Sequence, residues 1–206
     1  MIAYIEIMTH LRSLLIRFAV LTLPLPAMAE VPLDQLSAYL NSLSTEQATF
    51  TQINADGSKA HGQITIQRPG RARFEYAAPD KSLVIASGGM VAIFDAKSNQ
   101  PPEQYPLART PLNLILARDV DLGAAKMVVG HSDVGGSTHV IAQDPQHPDY
   151  GTIELVFSAA PIALKSWIIT DDIGNQTSVT LGDLTPRNDV PASQFSIDLE
   201  TRKRGN

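Results

Sequence analysis

The chain has 206 residues and a formal net charge of −5, with 44% hydrophobic residues, 18% charged residues and no cysteine. Such a composition supports a sizeable buried core and excludes a chain disordered by composition. The missing cysteine excludes disulfides, thiolate metal sites, a cysteine nucleophile and a lipid-modified N-terminal cysteine, and the acidic balance argues against nucleic acid, which needs a clustered basic surface.

The first predicted element is a targeting segment. Arg12 and Arg17 precede the apolar run Phe18–Leu25, and Pro26-Ala27-Met28-Ala29 supplies a small-x-small site. Together they describe a secretory signal peptide over residues 1–29, cleaved after Ala29 to leave Glu30 first. The apolar run is too short for a membrane span, which takes about 20 residues. Met8 is an alternative start to Met1. Residues 30–206 then read as a single domain.

Pro32 is suited to be a first helical residue, and Leu33, Leu36, Leu40 and Leu43 follow at helical spacing with Tyr39 beside them, which predicts an amphipathic helix of about three turns. The period then changes to two. Gln63–Gln67, Thr152–Phe157 and Thr177–Leu181 alternate apolar with polar residues. Asp56-Gly57, Gly88-Gly89, Gly135-Gly136 and Gly174-Asn175 fall between such runs, where hairpin turns want residues that tolerate positive φ. About eleven short strands spaced by turns predict a mainly β chain forming an antiparallel barrel or a strongly curved sheet. One helix interrupts them: Thr110 as N-cap, Pro111 as first helical residue, then Leu112, Leu114, Ile115 and Leu116. It either plugs the mouth of a barrel or simply packs on the core.

The chain carries no H-E-x-x-H, G-x-S-x-G or phosphate-cradling glycine motif, so neither an enzyme nor a cofactor is expected. His61, His131, His139 and His147, with Asp133 and Asp144, read as exposed turn and strand-end residues rather than a metal site. Asp171-Asp172 reads as a turn, because adjacent strand residues point to opposite faces. Arg202-Lys203-Arg204 reads as a solvated tail.

The most specific stretch runs Gly62-Gln63-Ile64-Thr65-Ile66-Gln67-Arg68-Pro69-Gly70-Arg71-Ala72-Arg73-Phe74-Glu75-Tyr76-Ala77-Ala78-Pro79-Asp80, preceded by Phe50-Thr51-Gln52 and followed by Ser82–Gly89. It resembles the periplasmic outer-membrane lipoprotein carrier family, the LolA type, in its Phe-x-Gln strand, Arg-Pro hairpin, aromatic strand, Pro-Asp turn and Val/Ile strand ending at glycine. Tyr105-Pro106 and Thr110–Leu116 resemble the segment before that family's central helix. The order of elements fits from about Leu33 to Ile197, nearly all of the mature chain. Phe74 stands where members often carry tryptophan, Arg71 and Arg73 make the outer face of the hairpin basic, and at 6% aromatics a cavity would be lined mainly by aliphatic residues.

The resemblance implies an incomplete antiparallel β-barrel, covered by an N-terminal helix and short central helices. It also implies an apolar cavity for acyl chains, lined by Ile64, Ile66, Phe74, Tyr76, Val84, Phe94, Leu112, Ile115, Leu116, Leu36 and Leu40. Strand parity puts Ile64, Ile66 and Arg68 on one face, and Ala72, Phe74 and Tyr76 on one face of the next strand. Arg68 is then the one inward charge. The resemblance matches it to the family's lid-latching arginine, and its five donors suit the carbonyls of a covering helix. A guanidinium snorkelling to water at the strand end is the alternative. The implied function is that of a monomeric periplasmic chaperone. It would receive acylated lipoproteins from an inner-membrane ABC-type lipoprotein-releasing transporter and deliver them to the outer membrane, through an acceptor lipoprotein where one exists. A lipid-binding or envelope-sensing module on the same half-barrel, carrying no cargo, is the competing expectation.

Overall fold

A computed structural model of the chain describes residues 30–98, 100–124 and 126–205. The signal peptide expected at residues 1–29 lies outside the described residues.

Helix α1 (Leu33–Ser42) begins directly after Pro32, one residue later than the sequence predicts. Leu36 and Leu40, one turn apart, are both 0% exposed, so one stripe of the helix is fully committed to the core. Twelve strands follow among the described residues: β1 (Thr45–Ile53), β2 (Lys59–Gln67), β3 (Arg71–Tyr76), β4 (Leu83–Ser87), β5 (Met90–Phe94), β6 (Glu103–Pro106), β7 (Val128–Val134), β8 (Ser137–Gln143), β9 (Thr152–Ala159), β10 (Ile162–Thr170), β11 (Gln176–Leu181) and β12 (Thr185–Pro186). Between β6 and β7 lies helix α2 (Leu112–Leu116), and the chain closes on helix α3 (Ile197–Lys203).

The strands form one antiparallel sheet in the order β6-β5-β4-β3-β2-β1-β11-β10-β9-β8-β7. Two meanders are joined where β1 meets β11, with Phe50 opposite Leu181. Strand β12 carries the β11 direction onward along β1 after a one-residue shift in register, pairing Thr185 with Gln47. The sheet curls enough for rings from its two halves to touch, as Phe74 of β3 and Trp167 of β10 do edge to face with centroids 6.3 Å apart. Glycine makes one close approach possible. A Cβ on Gly62 would lie 2.1 Å from the Glu75 carbonyl oxygen and 2.9 Å from the Phe50 ring.

The end strands β6 and β7 are not paired with each other, so the sheet stays open. They are consecutive in the chain. Residues 107–127, with α2 in their middle, therefore have to connect one edge of the opening to the other, and topology alone puts this helix beside the gap. Thr110 does not cap α2; its hydroxyl donates back to the Leu107 carbonyl at 2.8 Å, and Pro111 leads directly into the helix.

The convex face carries a second, smaller core. Leu83, Ile85, Ala92 and Phe94 of β4 and β5 pack under Phe195, with Val190 and Ile197 at its margin. The C-terminal segment is thus a strap, at whose end Arg202, Lys203 and Arg204 stay exposed as expected. Arg204 lies over the Phe94 ring, 5.1 Å from its centroid, and bonds Glu200 one turn back at 3.1 Å. Arg73, expected to face solvent, donates to the Gln194 carbonyl at 2.9 Å and pairs with Glu75. Phe94, expected among the inward residues, belongs to this outer cluster instead. The physical reason is parity: Phe94 pairs with Leu83, whereas inward Phe74 pairs with Val84 one position along β4.

Candidate functional site

The concave face is where the apolar residues converge. Ile64 and Ile66 from β2, Phe74 from β3, Leu36 and Leu40 from α1, and Ile115 and Leu116 from α2 are buried in one cluster with Leu155, Phe157, Leu164 and Trp167. Tyr76, Val84 and Leu112 pack against its edge. Of the eleven residues expected to line an acyl-chain cavity, all but Phe94 therefore meet there, but as a packed core; none of them lines the open space along α2. The helices supply the fill: α1 and α2 insert leucine and isoleucine where an open half-barrel would otherwise expose hydrocarbon to water. Open space lies along α2. A half-open groove of about 300 Å³ runs between Asn113 and Leu114 of the helix and Val120, Leu122 and Met127 of the loop behind it, with Asp119 and Asp121 also in its lining. A smaller one of about 90 Å³ lies on the flank towards Ala142, Tyr150 and Ile153.

Helix α1 is fixed to the sheet along its length. The Val31 amide donates to the buried Thr138 hydroxyl at 2.8 Å, and the Val31 carbonyl meets His131 Nε2 at 3.0 Å. The Tyr39 hydroxyl accepts from the Leu164 amide at 3.1 Å, and its ring meets Phe157 edge to face.

The segment across the opening is held by burial of Leu107, Ile115, Leu116, Val120 and Leu122 in the inner cluster and by polar contacts to the β2–β3 turn and α1. At the end of β2, Arg68 donates through Nη1 to the Leu40 carbonyl, and through Nη2 to the Asn41 side-chain oxygen at 3.0 Å, the Ala117 carbonyl at 2.6 Å and the Arg118 carbonyl at 3.3 Å. Gly70 of the same turn donates its amide to the Leu116 carbonyl at 2.8 Å. Carbonyls near the ends of both helices, Leu40 of α1 and Leu116 and Ala117 at the end of α2, thus meet one guanidinium and one turn. Burial pushes the Arg68 guanidinium down from its ordinary value, opposed by the nearby Asp119, and arginine remains charged in proteins regardless.

Strand β1 carries a second inward charge. Glu46 on β1 is 7% exposed and shares the face of Ala48 and Phe50. Burial pushes its carboxyl above the ordinary range, against a hydrogen bond to the Ser44 backbone. Because the folded state then prefers the protonated acid, stability falls as pH rises from about 4.3, the unfolded glutamate value, through the raised folded one. Glu46→Gln is therefore expected to raise the melting temperature at pH 7.5 and to lose that gain at pH 4, in thermal melts at both values. Tyr76, under the Phe50 ring, is pushed up to about 12, first by burial and then by Asp80.

The histidines do not assemble a metal site, and no group of three or more potential ligands occurs among the described residues. His131 and His139 are on neighbouring strands but one pairing position apart, hence on opposite faces; His139 Nδ1 meets Glu154 at 2.5 Å on the outer side. Asp171 organises the β10–β11 turn, accepting from the amides of Ile173 and Asn175.

The sequence model of the family described as outer membrane lipoprotein carrier protein LolA matches residues 41–198. The chain belongs to the LolA family. Among its curated relatives, an outer-membrane lipoprotein carrier protein of Chromohalobacter salexigens is 27% identical over 192 residues, spanning 88% of this chain and 90% of the relative. One of Coxiella burnetii is 36% identical over 139 residues, spanning 65% of this chain and 61% of the relative. A solved LolA superfamily protein of Nitrosomonas europaea aligns over 82% of this chain and 99% of its own, at 10% identity and a TM-score of 0.46. The match to the LolA family takes in the β2–β3 hairpin with Arg68, α2 and most of the C-terminal strap.

Proposed function

We propose that this chain is a periplasmic chaperone for lipoproteins, receiving acylated cargo at the inner membrane, shielding the acyl chains beneath α2 and releasing them at the outer membrane. The observation that carries the reading is an apolar interior whose open side is spanned by a short helix held through polar groups centred on Arg68. Each methylene moved out of water contributes about 0.8 kcal/mol, and two acyl chains already give stable attachment to a bilayer. Only a protein surface of comparable apolarity offsets the cost of leaving the membrane. The energy for extraction has to come from elsewhere, since the sequence holds no nucleotide-binding motif; an inner-membrane ABC transporter fits that need. Closing contacts around Arg68 compete with cargo for the same interior, which lets the carrier give lipid up.

Incubation with an acylated lipoprotein and with its unacylated counterpart tests this. The acylated form is expected to co-elute with the chain in detergent-free buffer and then to pass to acceptor membranes, while the unacylated form does neither. Equal behaviour of the two forms contradicts lipid shielding. Binding without transfer contradicts the carrier role and leaves a lipid-binding module.

A further inference from the structure

Arg68 grips the start of the loop behind α2, at Ala117 and Arg118. The rest of that loop is gripped by α1. Asn41 uses both halves of its side-chain amide on one residue: Nδ2 donates to the Val120 carbonyl at 2.8 Å, and Oδ1 accepts from the Val120 amide at 3.0 Å. One turn earlier the Ser37 hydroxyl donates to the Leu33 carbonyl at 2.6 Å and accepts from the Leu122 amide at 2.9 Å. Positions 37 and 41 lie on one face of the helix, and Val120 and Leu122 are held against that face with 6% and 1% exposure. Helix α1 is itself tied to the sheet, through Tyr39 to β10 and through Val31 just before it to β8.

We propose that Asn41 is a positioning residue that, together with Arg68, holds the 117–122 loop shut and so sets how often the apolar interior opens. Only a primary amide serves the Val120 backbone in this way, since an aspartate cannot donate and an alanine does neither. Its Oδ1 also takes a hydrogen bond from Arg68 Nη2, so the two catches are coupled through one oxygen. The functional meaning of opening rests on the carrier reading; the catch itself does not.

Amide hydrogen exchange on the unliganded protein, with Asn41→Ala and Asn41→Asp, tests it. Val120 loses its direct partner in the alanine variant, so the deciding amide is Leu122, whose partner Ser37 is untouched. Three bonds lost, two to Val120 and one from Arg68, predict Leu122 exchange faster by at least about tenfold in Asn41→Ala, with Asn41→Asp in between and the Leu155 amide of β9 unchanged. Uptake of a pyrene-labelled fatty acid should accelerate in the same order. Unchanged Leu122 exchange, or a rise shared equally by Leu155, overturns the catch. Local exchange as expected with no uptake by any form leaves the catch standing and defeats the carrier reading. Normal uptake with unchanged Leu122 exchange does the reverse.

Discussion

Replacing Arg68 by leucine is expected to leave the sheet folded but the α2 segment unlatched, so that lipoprotein is bound and then released more slowly to acceptor membranes. The guanidinium serves the Leu40, Ala117 and Arg118 carbonyls and the Asn41 oxygen. Hydrogen bonds to charged groups contribute about 1.5–3 kcal/mol each, and several of these are partly wet. The closed arrangement should therefore lose on the order of 3 kcal/mol, about a hundredfold in the closed-to-open ratio. Leucine adds apolar surface in the same place, which further favours an occupied interior. Pulse-labelled transfer to outer-membrane vesicles measures the effect. Transfer at the wild-type rate would remove Arg68 from the release step.

The second large effect is on stability and should spare the concave face. Phe195 is 1% exposed and is the centre of the outer core formed with Leu83, Ile85, Ala92 and Phe94. Phe195→Ala is expected to cost about 3–5 kcal/mol, the usual range for a buried phenylalanine, and to free residues 190–204 from the sheet. Arg204 would lose its seat over Phe94, and Arg73 its carbonyl partner at Gln194. Denaturant unfolding measures the loss, and limited proteolysis should cut the C-terminal segment first. Fatty-acid binding by the protein that remains folded should be unchanged, because the strap and the interior lie on opposite faces. A loss under 1 kcal/mol would show that the strap adds little to the fold.

What the sequence made legible follows its periodicity. Helix α1 announces itself through Leu33, Leu36 and Leu40, and β2 through Ile64 and Ile66 with Arg68 two residues on; the structure keeps all of these on the faces their spacing implies. The turns at Asp56-Gly57, Gly88-Gly89, Gly135-Gly136 and Gly174 are all present, with positive φ at each glycine. Phe94 went to the other face because β4 and β5 are covered on both sides. Leu83, Ile85 and Ala86 are all buried there, and where both faces are apolar the alternation that fixes parity disappears. The unbroken run Leu83-Val84-Ile85-Ala86 was the available sign of a second cover. Nothing local says that Arg73 meets Gln194, 121 residues later. Asn41 is hidden for the same reason, since a polar residue at a helix end shows its partner only when the fold brings one, whereas Glu46 alternates with Ala48 and Phe50 and its inward position is local.

The claim beneath all of this is that acyl chains lodge on the concave face beneath α2. The most direct measurement is photocrosslinking with a lipoprotein whose acyl chains carry a diazirine, followed by peptide mapping. Adducts should fall on residues of the inner cluster, such as Ile64, Phe74, Leu116 and Leu155, and not on Phe94 or Phe195. Adducts confined to the convex face or to surface loops would contradict it.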